Sequence, residues 1–150
     1  MGALAIVFPP LRVSRDFIDY PYFADLGAVQ AAAVVRGAGF EPALVDALAM
    51  EGATLSPLDE GYVRLGVTAA AVIERVPGDA SAIVVAFTPF HRPPARDPLL
   101  AEVLVGLRAR HPTTPILLAD LYQSGQHVVD APPRSTSSSV TRPRRCCRAS

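Results

Sequence analysis

Three loops carry nearly all the side chains in this sequence that could bind or react. The first, residues 9–22, opens with Pro9-Pro10 and mixes Arg12, Arg15, Asp16 and Asp19 with Phe17, Ile18, Tyr20 and Tyr22. It exceeds the roughly two to six residues usual between a strand and its helix, which points to binding. A lid packed on its own aromatic rings is the competing reading. It is not a phosphate loop, because no glycine lies between Phe8 and Leu26 and a glycine-rich turn is what lets a backbone wrap a phosphate. The second loop reads Thr88-Pro89-Phe90-His91-Arg92-Pro93-Pro94-Ala95-Arg96-Asp97. Its prolines stiffen it and so lower the entropy lost when a ligand is gripped. Arg92 and Arg96 suit an anionic group, or they pair with nearby acids on a plain surface turn. The third loop, Asp120-Leu121-Tyr122-Gln123-Ser124-Gly125-Gln126-His127, offers close backbone approach at Gly125. Gln123, Ser124 and His127 add hydrogen-bonding groups.

Reactive constellations are sparse. His91, His127 and Asp120 form a conceivable metal set, but without the tight spacing of dedicated sites. No nucleophile-elbow pattern is present. A phosphorylated receiver is disfavoured too: the first strand ends in Phe8-Pro9-Pro10 without acids, and the third ends in Thr88 rather than Asp. His111-Pro112 falls at a helix end on the opposite edge, where His111 reads as a capping residue.

All three loops follow short apolar strands. Leu4–Phe8 runs into Pro9, Ala82–Thr88 into Pro89, and Ile116–Asp120 into Leu121; a further strand is expected at Ala43–Leu48. Helices are expected between them. One spans roughly Phe23–Ala38, with Phe23, Leu26, Val29, Ala33 and Val34 near helical spacing and Gly39 as its left-handed cap. A second spans about Asp59–Val76, carrying Tyr62, Leu65, Ala69, Val72, Ile73 and Val76 on one face and stopped by Pro77-Gly78. A third begins at Asp97-Pro98, an N-cap followed by a residue that needs no amide partner. Leu100, Val103, Leu104 and Leu107 form its stripe. The rhythm is βαβαβαβ, which predicts a doubly wound parallel α/β sheet of about four strands in the order 2-1-3-4. In such a sheet every strand exit lies on one edge, where ligands bind.

Charge and composition narrow the partners. The chain has 150 residues, 14 basic and 14 acidic, and all the basic ones are arginine. Five of those arginines fall in residues 131–150, which hold no acid, so residues 1–130 carry a formal charge of −5. A body of that sign has no general attraction for nucleic acid. No apolar run approaches a membrane span, and without a signal-peptide pattern the cytoplasm is the default location. Cys146 and Cys147 are adjacent, so they make neither a bridge to one another nor a cluster site.

After Asp130 the composition turns to serine, proline and arginine, and nothing there can bury a face. We expect residues 1–130 to form the domain and 131–150 a disordered tail, its composition being what a GC-rich gene gives in the wrong reading frame. A natural basic tail is the alternative. On the first reading the domain is truncated, its fourth strand lies open on the outer side, and the fragment is marginally soluble.

Several of these segments together carry a resemblance. Ile6-Val7-Phe8-Pro9-Pro10 opens the chain, and Ala38-Gly39-Phe40-Glu41-Pro42-Ala43-Leu44-Val45-Asp46-Ala47 leads from helix to strand. The strand entering Thr88-Pro89 and the loop Leu118-Ala119-Asp120…Ser124-Gly125 complete the pattern. With these, residues 3–130 resemble the N-terminal cobalamin-binding-like domain of cobalamin-dependent radical S-adenosylmethionine proteins. The resemblance implies a flavodoxin-like fold holding a corrinoid over the carboxyl edge, with Pro9, Pro10, Thr88, Pro89, Phe90, His91, Asp120, Tyr122, Ser124 and Gly125 toward the ring. It implies a following barrel in which a CxxxCxxC triad holds a four-iron cluster and S-adenosylmethionine binds. This sequence has no such triad, and it lacks the DxHxxG motif whose histidine ligates cobalt in the best-known modules. The expected role is therefore to present a corrinoid rather than to break bonds. A reading from another class is a nucleotide- or sugar-nucleotide-binding domain of glycosyltransferase type, or a non-catalytic interaction domain.

Overall fold

Four strands of this computed structural model run parallel in one sheet, and a fifth adds antiparallel at one edge. The described residues are 2–16, 25–59, 61–91, 96–121 and 125–128, the last four and Pro89 in backbone only. The strands are β1 (Leu4–Phe8), β3 (Pro42–Asp46), β6 (Ala82–Phe87), β7 (Ile116–Asp120) and β8 (Gly125–Val128). The parallel order, β3-β1-β6-β7 with β8 on the outer side of β7, is that of an incomplete flavodoxin-like sheet, as the βαβ rhythm requires. Among the described residues no helix is long and apolar enough to cross a membrane.

Helices cover both faces. On one side α2 (Ala69–Arg75) and α3 (Pro98–Arg110) pack Val72, Val76, Leu100, Val103 and Leu107 onto Ala5, Val7, Val45, Ile83 and Val85 of the sheet. On the other, α1 (Leu26–Gly37) lays Ala28, Ala31, Ala32 and Val35 on Ile6, Phe8 and Ala86. This corrects the expected stripe, since Leu26 is 65 % exposed and Val34 72 %. The helix is apolar nearly all round, so periodicity did not single out the small-residue face that permits close approach to the sheet. It ends in a Schellman turn: Gly39 has φ +86°, its amide donates to Arg36 O, and the Phe40 amide donates to Val35 O. At the other end Asp25 caps the helix by accepting from the Ala28 amide, while Phe23 lies outside the described residues. α3 starts as Asp97-Pro98 demands, with Asp97 Oδ1 accepting from the Leu100 amide at 2.7 Å. Leu104 of its predicted stripe is only partly buried.

Two corrections concern the segments read as loop and helix. Residues Leu11–Ser14 form a strand, β2, and the stretch expected to be one helix over Asp59–Val76 holds the strand β5 (Tyr62–Gly66), paired with β4 (Thr54–Asp59) just ahead of it, and then the short α2. The three make a second antiparallel sheet in the order β2-β5-β4. Its inner side chains, Leu11, Val13, Val63 and Leu65, join Phe8 and Leu48 in the α1-side core. Each contributes on the order of 1.5–3 kcal/mol of burial. A third correction concerns the edge of β7: β8 pairs along it from Asp120↔Gly125 to Leu117↔Val128, so β7 is internal. The predicted tail, residues 131–150, lies outside the described residues, as do residues 17–24, 92–95 and 122–124.

Candidate functional site

The carboxyl edge is organised by one side chain, His91. It sits in a single 3₁₀ turn, Pro89–His91, directly after β6 and is fully buried. Its Nδ1 accepts from the Thr88 amide at 3.1 Å, so the ring proton is on Nε2, which donates to the Pro10 carbonyl at 3.3 Å. The Thr88 hydroxyl also lies 3.3 Å from Nδ1 and accepts from the Phe90 amide at 3.2 Å. The Phe8 ring meets the imidazole edge-on at 5.8 Å. One histidine thus ties the exit of β1 to the exit of β6. In this strand order the chain leaves β1 toward one side and β6 toward the other, so the brace stands at the topological switch point.

A second junction lies beside it. Asp46, the last residue of β3, is buried; Oδ1 accepts from the Leu48 amide at 2.8 Å and Oδ2 from the Asp25 amide at 2.6 Å. Burial pushes the Asp46 carboxyl up from its ordinary range, against the hydrogen bonds from the Asp25, Leu48 and Ala49 amides that pull it down. Asp46 thereby fixes the start of α1 to the end of β3. The hairpin is anchored at the same place, with the Val67 amide donating to Ala47 O and the Ala47 amide to Phe8 O.

The sequence-predicted residues are at the predicted edge but in a different state. Pro9, Pro10, Thr88 and His91 are buried, and so is Asp120. Phe90 is half exposed, at 49 %. Pro89 and Gly125 have their backbones on this edge, and Tyr122 and Ser124 lie outside the described residues. Burial follows from β2, which passes over the 3₁₀ turn where a loop was expected. The metal set of His91, His127 and Asp120 is not assembled, because both ring nitrogens of His91 are committed to backbone partners. His127 stands in register with Leu118 on β8, its side chain undescribed. Among the described residues no group of three His, Cys, Asp or Glu is placed to hold a metal ion.

Asp25 and Asp46 were missed as site residues, though the sequence held a signal for each. Asp25 precedes an apolar helical run in the N-cap position, and Asp46 ends a strand on the ligand-binding edge. Their presence matters for electrostatics. Of the three described helix starts on this edge, α1 and α3 are capped by carboxylates, Asp25 and Asp97, and α2 by the Thr68 hydroxyl, where an anion-binding site would leave the amides open. His111 stands at the C-cap of α3, where it was expected, but caps by its backbone: its amide donates to Leu107 O, its Nε2 is buried without a hydrogen-bond partner among the described residues, and Arg108 Nη1 donates to the carbonyls of His111, Pro112 and Thr114. Comparison of the chain with protein-family models, with curated proteins and with solved structures found no match in any of the three.

Proposed function

We propose that this chain is a cofactor-presenting module that docks a corrinoid on the carboxyl edge of its parallel sheet, for methyl transfer or rearrangement by a separate radical S-adenosylmethionine unit. The observation that carries the reading is the brace at the switch point. With His91 tying Thr88 to Pro10 and β2 packed on the 3₁₀ turn, the described part of this edge is a preorganised platform rather than a slot. A platform favours a broad ligand resting on a face over a small one gripped in a cleft. Half-exposed Phe90 gives that face an aromatic surface.

The fit is to the periphery of the group and not to its metal. Both nitrogens of His91 are occupied, so His91 offers no ring nitrogen to the metal. When bound, the corrinoid supplies cobalt-centred alkyl-transfer chemistry; the protein's part is to orient it and to exclude water from one face. The nucleotide-binding alternative is weakened by the carboxylate caps on α1 and α3, which place negative charge where phosphates need open amides.

Titration with hydroxocobalamin, followed by visible absorption, tests the proposal. Saturable perturbation is expected, weakened about tenfold by Phe90→Ala, the ~1.4 kcal/mol of one lost aromatic contact. The bound spectrum should show no histidine ligation. Absence of any perturbation at about 100 μM cofactor, or an imidazole-ligated spectrum, overturns it.

A further inference from the structure

A cleft of about 440 Å³ opens beside the free outer edge of β3, lined by Leu44, Asp46, Ala49, Met50, Glu51 and Arg75. Its size falls within the roughly 300–1,000 Å³ of small-molecule sites, and it is separate from the His91 platform. Leu44, Ala49 and Met50 make an apolar wall, and Met50 is an adaptable one. Asp46 is committed to the Asp25 and Leu48 amides. That leaves two charged groups of opposite sign: Glu51, in the turn after β3, and Arg75, in the last turn of α2.

Both side chains are exposed and face the same cleft, yet among the described residues neither forms an ion pair or hydrogen bond. Opposite charges that line one cavity without meeting leave a positive and a negative group there, with apolar side chains in the same lining. We infer that this cleft binds a small zwitterion with an apolar substituent, an α-amino acid or a molecule carrying that dipole. Its carboxylate meets the Arg75 guanidinium, its ammonium meets the Glu51 carboxylate, and its apolar part lies on Leu44 and Met50.

The test uses L-leucine as probe, with leucinamide, which lacks the carboxylate, and N-acetyl-leucine, which lacks the ammonium. Binding is read from the backbone amide resonances of Ala49, Met50 and Glu51 in the full chain. Leucine should shift them saturably in the millimolar range, and each analogue should bind at least about tenfold more weakly. Arg75→Gln should erase the preference for leucine over leucinamide while Arg75→Lys keeps it, and Glu51→Gln should erase the preference over N-acetyl-leucine. The same spectra report that each variant is folded. No shift at about 20 mM leucine, equal affinity for the three probes, or unchanged preferences in both neutral variants overturns the inference.

Discussion

Replacing His91 with alanine removes the acceptor of the Thr88 amide, the donor to Pro10 O and the edge that the Phe8 ring packs against. The orphaned buried groups and the void together should cost about 3 kcal/mol, measured by urea unfolding. The same residue sets a pH dependence. Burial holds its pKa below the ordinary 6.5, against the pull of Asp97, the Pro10 carbonyl and Asp25. The unfolded chain therefore takes up this proton first on acidification. Stability is complete above about pH 6.5 and falls as the pH drops toward the lowered value. Asp46 acts in the opposite sense: its raised pKa means the folded state binds the proton first, so acidification toward 3.8 restores stability there. His91→Gln should remove up to about 1.4 kcal/mol per pH unit from the slope between roughly pH 7 and 5.5. His111, whose pKa is lowered by burial and by Arg110, adds slope of the same sign in that window. An unchanged slope in the variant would show that His91 is not the titrating group.

At the scale of elements, the parallel strands and α3 were legible because each depends on local signals: continuous apolar runs, a cap and a proline. The second sheet was not, for a reason visible in its residues. Val63 and Leu65 alternate as a strand should, but Leu65, Ala69, Val72 and Val76 also fit a helical period, and a window this short satisfies both. Deciding between them falls to Gly61 and Gly66, which bracket β5 and argue against a helix. The candidate edge was legible as a location, since strand exits follow from topology. Burial of Pro10 and His91 was not, because it depends on β2, an element defined only by its pairing with β5. Gly66 also gives the test of how tightly the hairpin is fixed. Its φ is +107°, and a Cβ there would stand 2.7 Å from the Ala47 carbonyl oxygen, whereas at Gly39, with φ +86°, it would meet nothing within 4 Å. Gly39→Ala should cost only the left-handed backbone term, about 1–2 kcal/mol. Gly66→Ala adds a backbone clash and should cost about 3–4 kcal/mol. Equal losses in denaturant unfolding would mean the hairpin yields freely at its anchor.

For the whole molecule the question is how a four-stranded parallel sheet ends without an adhesive edge. On the β3 side Pro42 opens the strand at an outward-facing position, where a proline has no amide to donate. On the β7 side the solution is β8, which returns antiparallel and pairs from Asp120 back to Leu117. That strand lies ahead of the arginine-rich tail, so the two can be separated by shortening the chain. Ending it after Val128 removes all five tail arginines and leaves a net negative body, a change that by self-repulsion should improve solubility. Ending it after Leu121 removes β8 as well and leaves the β7 amides unpaired beside buried Ile116 and Leu118. Light scattering after size exclusion should then find the 1–128 chain monodisperse and the 1–121 chain associated or insoluble at equal concentration. Because both lack the tail, charge cannot account for the difference. A monodisperse 1–121 chain with an unchanged thermal midpoint would show that β8 neither protects β7 nor adds to stability.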